Sequence, residues 1–155
     1  MTKVCEPSPE QLEPPWLTLA KAEIGVKEIP GARSNARIIE YFSTTRLGGP
    51  AGGDSTPWCS AFCNWVMQQA GYIPTRRANA RSWLTWGEEI DEPRLGAIAV
   101  LWRDNPVSPA GHVGFYVASL PNRVVLLSGN QNNAVGYKEY GTGRVLSYRW
   151  PKGVP

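Results

Sequence analysis

The sequence predicts one α+β domain in which N-terminal helices pack on a C-terminal antiparallel sheet of about five strands. A chain of 155 residues is long enough to build a single hydrophobic core. Apolar residues recur at helical spacing before Pro93, whereas the segments after it are short and rich in β-branched and aromatic residues. Helices first and strands second is the order typical of the α+β class.

The chain opens with an arm and continues as a single domain. Residues 1–15 are rich in Pro and Glu and predict an extended arm, so we expect the domain to occupy residues 16–155. The first helix begins at Trp16, and the second takes Ser34 or Asn35 as its N-cap.

A third helix is predicted with Thr56 as N-cap and Pro57 at its first position, ending at Gly71. Cys59 therefore falls in its first turn. A short fourth helix is expected over residues 79–86. Strands are predicted at residues 97–103, 112–119, 123–129, 134–139 and 144–150.

Composition excludes several functional classes. The net charge of +3 is too small to indicate nucleic-acid binding, and no apolar stretch is long enough for stable membrane insertion. Three Cys and one His give neither a disulfide framework nor a zinc-ligand spacing, so we expect no metal and no cofactor. The N-terminus has no apolar signal segment, which predicts a protein made in the cytoplasm, and we expect a monomer.

Cys59 is the candidate nucleophile. The free N–H groups and the dipole at a helix N-terminus lower the pKa of a thiol, and the same N–H groups can bind an oxyanion. The alternative is a buried Cys with a packing role. Cys63, one turn further along the helix, is predicted to belong to the core.

His112 is the only histidine, and it opens a predicted strand between Gly111 and Gly114. A lone histidine is often a core residue with its hydrogen bonds satisfied. Together with a cysteine at a helix start, however, it is the arrangement that a thiolate–imidazolium pair requires.

A third polar group should orient the imidazole from the neighbouring strand. A two-residue turn at Pro121-Asn122 places Gln131 opposite His112, whereas a three-residue loop over 120–122 places Asn130 there. An Asn-rich turn without a catalytic role is the alternative. Both readings stay open at this point.

Three further residues are candidates for substrate binding: Asp54, Trp58 and Gln131. Asp54 precedes the nucleophile helix, where it either caps the helix or meets a substrate amine. Trp58 either lines a groove or packs in the core.

Three motif blocks resemble the NlpC/CHAP-type peptidoglycan hydrolases, the papain-like cysteine peptidases and amidases of bacteria and their phages. The blocks are Thr56–Phe62, Gly111–Phe115 and Gly129–Asn133. They are most similar to the small one-domain members of phage lysis regions, the endolysins. The resemblance implies a nucleophile helix packed on a sheet that carries the base, with Cys59 as nucleophile, His112 as base and Asn130 as orienting residue.

The resemblance also implies a substrate and a route to it. The expected reaction is hydrolysis of an amide or peptide bond in the peptidoglycan stem peptide, after holin-dependent release from the cytoplasm. Other readings are a non-catalytic wall-binding or virion structural module, an injected antibacterial amidase effector, and a cytosolic acyltransferase or deamidase.

Overall fold

The computed structural model describes residues 12–29, 35–46 and 57–155, and within them the predicted α+β architecture is confirmed. The helices are Pro15–Lys21 (α1), Ala36–Phe42 (α2) and Cys59–Gln69 (α3), with 3₁₀ helices at Ala80–Thr85 and Thr142–Arg144. The strands are Glu88–Ile90 (β1), Ile98–Trp102 (β2), Gly111–Leu120 (β3), Arg123–Gln131 (β4), Ala134–Gly141 (β5) and Val145–Trp150 (β6).

All paired strands are antiparallel, in the order β1-β6-β2-β3-β4-β5. The strand β1 was not predicted, because its three residues Glu-Glu-Ile carry no strand pattern of their own and pair only at the edge, with β6.

Helix α3 packs against β3 and β4 and forms the centre of the main core. Its residues 59–67 are all buried, as expected for a helix that is covered on every side. Trp16, Trp58 and Trp83 fill the core around it with exposures of 0–1%. A smaller outer cluster covers the other face of the sheet, since strand side chains alternate, and it consists of Ala99, Leu101, Val124, Leu126 and Tyr140.

The helix starts agree with the sequence to within two residues. Asn35 is the N-cap of α2, and its side chain accepts a 2.8 Å hydrogen bond from the Arg37 N–H. Helix α3 begins at Cys59 with Trp58 as N-cap, two positions later than predicted, and Thr56 lies outside the described residues. Cys59 is still in the first turn.

The β3–β4 hairpin combines the two predicted registers. Leu120 pairs with Arg123, so the turn is the two-residue Pro121-Asn122, with Asn122 in the left-handed region at φ 59°. An irregularity between Tyr116 and Ala118 then shifts the pairing by one residue. Such a bulge reverses which side chains share a face.

Candidate active site

The Cys59 thiol is placed by the first turn of α3 against strand β3. It is 4% exposed and lies against the backbone N–H of Val113, the residue after His112. Burial raises the pKa of this thiol, while the N–H groups of Val113, Ser60 and Cys59 and the charge of Arg103 lower it. The helix start therefore does not make Cys59 a thiolate in the free protein, contrary to the sequence expectation, because the site is closed to water.

His112 is 1% exposed, on strand β3 opposite Leu101. Burial lowers the pKa of its imidazole to about 4; the Gln131 hydrogen bond raises it, and the charges of Arg103, Arg144 and Lys138 lower it further. The imidazole is therefore neutral at pH 7. Its Nδ1 is buried and has no hydrogen-bond partner among the described residues.

Gln131 binds the imidazole at its other nitrogen, Nε2. Its Oε1 lies 3.0 Å from His112 Nε2 and accepts a second hydrogen bond of 3.0 Å from the Tyr140 hydroxyl. Its Nε2 donates to the backbone carbonyls of Leu126, at 3.1 Å, and Gly136. Every hydrogen-bonding position of this amide is thus occupied, and Gln131 is 3% exposed.

These contacts determine the tautomer of His112. A backbone carbonyl only accepts hydrogen bonds, so the two carbonyls fix the Gln131 NH₂ group and turn Oε1 toward the imidazole. His112 Nε2 must then carry the proton. Nδ1 is left with a lone pair, which is what a general base needs.

The imidazole partner is Gln131, so the expectation that Asn130 orients the ring is corrected. Asn130 has a φ of 57°, and this left-handed residue interrupts the alternation of β4, so that Gln131 rather than Asn130 reaches His112. Asn132 and Asn133, with φ of 54° and 61°, form the turn from β4 to β5. The Asn residues of this segment serve its backbone conformation, which Asn tolerates well.

The substrate-binding candidates also change. Trp58 is fully buried, stacks on Tyr41 and donates its indole N–H to Glu28 at 2.9 Å, so it packs the core instead of lining a groove. Gln131 is buried and engaged with protein groups, which leaves it no free atom for a substrate. Asp54 lies outside the described residues.

Sequence reasoning missed Tyr140 and Arg103. The Tyr140 ring stacks on His112 with centroids 5.0 Å apart, and Arg103 is close enough to affect the pKa values of both Cys59 and His112. Tyr140 lies next to the last residue of β5 and pairs with Val124 of β4. Only a known strand register would have shown that Tyr140 lies near His112, and the sequence left that register open.

No group of three or more His, Cys, Asp and Glu side chains within 12–29, 35–46 and 57–155 is arranged to hold a metal ion. None of the helices in those ranges has the length and apolar character required to cross a bilayer.

Comparisons with known proteins agree with this architecture. Residues 51–132, just over half of the chain, match the CHAP domain family. A solved protein of Staphylococcus aureus subsp. aureus Mu50, described as similar to a lipoprotein of the NLP/P60 family, has the same fold with a TM-score of 0.54 and 17% sequence identity.

That match covers 90% of this chain and 41% of the staphylococcal one, so the chain spans less than half the length of that protein. No curated protein sequence matches the chain significantly. The family match leads to one conclusion, with which the α+β fold and the helix-start cysteine agree: the chain belongs to the CHAP domain family.

Proposed function

We propose that the chain is a cysteine peptidase or amidase that cleaves an amide or peptide bond of the peptidoglycan stem peptide, with Cys59 as nucleophile, His112 as general base and Gln131 as orienting residue. The observation that carries the proposal is the fixed tautomer of His112. Its Nε2 is held by Gln131 at 3.0 Å, and its Nδ1 is unpartnered within the described residues. The thiol lies beside the same strand, at the N–H of Val113.

The pKa directions favour a general-base mechanism over a preformed ion pair. Burial raises the pKa of Cys59 and lowers that of His112, so both groups are neutral at pH 7 before substrate binds. As Sγ attacks the substrate carbonyl carbon, Nδ1 takes the thiol proton, and the N–H groups at the start of α3 donate to the developing oxyanion.

The imidazolium then gives its proton to the leaving nitrogen, and the C–N bond breaks to leave a thioester on Cys59. A water molecule then attacks the thioester carbon, and Nδ1 removes a proton from that water as it attacks. Release of the carboxylic acid returns the proton to the sulfur, so that no metal or cofactor is needed.

The charges around the site suit an anionic substrate. The positive charges of Arg103, Lys138 and Arg144 lower the pKa of His112, and among the described residues no carboxylate acts on the pKa of His112 or Cys59. Stem peptides of peptidoglycan carry free carboxylates, which such a cationic surface attracts.

Digestion of purified sacculi, followed by mass spectrometry of the released fragments, tests this function. We expect new amino groups and fragment masses that identify either an amidase cut or an endopeptidase cut. Chelator-treated protein should retain full activity. Intact sacculi with no new amine would contradict the proposal and would favour a wall-binding or virion structural module.

We further propose that the hydrolase acts as a phage-type endolysin, made in the cytoplasm and released through a holin. The similarity of the three motif blocks to the small one-domain members of phage lysis regions supports this role. Bacteria that express the chain in the cytoplasm should lyse when a holin is co-expressed and should grow normally without it. Growth unaffected in both cases would contradict the endolysin role.

A further inference from the structure

Tyr140 contacts His112 and Gln131, the base and the orienting residue of the proposed mechanism. Its ring stacks on the His112 imidazole, with the two planes inclined by 30°, and its hydroxyl donates to Gln131 Oε1 at 3.0 Å. We propose that Tyr140 is a positioning residue that fixes the Gln131 amide against His112 and closes one face of the imidazole to water. This inference rests on the proposed function, because it concerns how His112 is presented to Cys59.

The hydroxyl supplies the last of the four hydrogen bonds on the Gln131 amide. A flipped amide would present its NH₂ group to Tyr140 and to His112 Nε2, and its oxygen to the carbonyls of Leu126 and Gly136. Two oxygen acceptors facing each other repel. An NH₂ group facing His112 Nε2 would donate to it, which favours the tautomer with the proton on Nδ1 and therefore without a free lone pair there. The two carbonyls therefore set the orientation of the amide, and the Tyr140 hydroxyl adds a hydrogen bond to Oε1 in that orientation.

The ring acts through burial. Tyr140 is 7% exposed at the end of β5 and covers the imidazole from the outer face of the sheet. Lys138 Nζ and Arg144 Cζ lie over the Tyr140 ring, at 5.6 and 5.4 Å from its centroid. Among the described residues, Arg103 also lowers the pKa of His112, whereas the hydrogen bond with Gln131 raises it.

Two substitutions of Tyr140 distinguish the role of its ring from the role of its hydroxyl. Since His112 is the only histidine, its NMR titration gives one unambiguous imidazole signal and needs no substrate. Tyr140→Leu removes the ring and should raise the pKa of His112 by about one unit or more toward the value in water, whereas Tyr140→Phe keeps the ring and should leave it within about half a unit. The same pKa in the Leu variant as in the wild type would overturn the role of the ring.

Kinetics test the hydroxyl. Tyr140→Phe should lower kcat about tenfold with KM unchanged, and it should cause no further loss in a Gln131→Ala background, since groups acting through one another are not additive. Tyr116→Phe, which loses a hydroxyl contact with Ser119 away from the imidazole, is the matched control and should keep full activity. A normal kcat for Tyr140→Phe, or losses that multiply in the double variant, would overturn the role of the hydroxyl.

These outcomes are separable from failure of the proposed function. If the wild-type protein releases no amine from sacculi, the proposed hydrolysis is wrong, yet the titration still decides whether Tyr140 shields His112. If the wild type is active and Tyr140→Leu leaves the His112 titration unchanged, the hydrolase assignment stands and the inference about Tyr140 falls.

Discussion

Gln131 Oε1 lies 3.0 Å from His112 Nε2, although both residues lie beyond the last registered pair of the β3–β4 hairpin, Phe115 with Leu127. The contact therefore depends on the side chain of Gln131 and on the left-handed Asn130 before it. It gives the imidazole one orientation and one tautomer.

Substitution of the two adjacent amides should separate their roles. Gln131→Ala leaves the imidazole in place without its orienting partner and should lower kcat about 10- to 100-fold, because a positioned base contributes about 10²- to 10⁴-fold. Asn130→Gly retains the left-handed backbone and should keep activity within about twofold. Rates of amine release from sacculi measure both effects. A greater loss in Asn130→Gly than in Gln131→Ala would return the orienting role to Asn130.

The pH dependence of stability should report the buried imidazole. The pKa of His112 is about 4 in the folded protein and about 6.5 in an unfolded chain. Below pH 6.5 the unfolded chain binds a proton that the folded one does not. The free energy of unfolding should therefore fall by about 3 kcal/mol in total as the pH decreases from about 6.5 to about 4, with no such contribution above that window.

Urea unfolding of wild type and His112→Gln at pH 7.0, 5.5 and 4.5 isolates this contribution, since the carboxylates titrate in both proteins. The difference in unfolding free energy between the two should shrink as the pH falls. A difference that is constant across the three pH values would show that the imidazole is accessible to protons in the folded state.

Gly129 determines how closely β4 approaches the start of α3. A Cβ at this position would lie 2.5 Å from the Trp58 ring and 2.9 Å from the Phe62 Cβ. Gly129→Ala should therefore destabilise the fold by about 1–3 kcal/mol through overpacking, and it should lower activity by moving Trp58 and the adjoining Cys59. Gly143→Ala, with nothing within 4 Å, is the control for thermal unfolding. Equal melting temperatures for the two variants would contradict the packing described.

Arg103 should contribute to substrate binding without taking part in the chemistry. Its backbone N–H pairs with the Ala110 carbonyl, two residues before His112. Arg103→Gln should raise KM about three- to tenfold at low salt with little change in kcat, and the effect should weaken at high ionic strength. Arg123→Gln, at the turn end of the hairpin, should behave as wild type. A fall in kcat at constant KM would argue against an electrostatic binding role.

Much of the fold was predictable from the sequence, because its elements carry strong local patterns. The position of Cys59 in the first turn followed from helical periodicity, and the turn at Pro121-Asn122 followed from residue types. The contact between His112 and Gln131 could not be derived with certainty, since it depends on a bulge near Val117 and on the φ of Asn130. Neither feature has a sequence signal strong enough to fix a register.

The direction of the pKa shift at Cys59 could not be predicted from the sequence either. The helix start alone indicates a lowered pKa for the Cys59 thiol, yet burial raises it. Burial of Cys59 depends on the tertiary packing of α3 against β3, and the Tyr140 ring that stacks on His112 lies on β5, two strands further along the chain. Local patterns contain no information about such distant contacts.

The central claim is that Cys59 is the nucleophile, and the most direct measurement compares Cys59→Ala with Cys63→Ala in the digestion of purified sacculi. Cys63 lies one turn along the same helix, with its Sγ 3.9 Å from the Val113 carbonyl, so it matches Cys59 in residue type, burial and neighbouring strand. Cys59→Ala should lower amine release by about 10³-fold or more, whereas Cys63→Ala, with its fold intact by circular dichroism, should stay within about threefold of wild type. Amine release by Cys59→Ala at the wild-type rate would contradict the thiol mechanism.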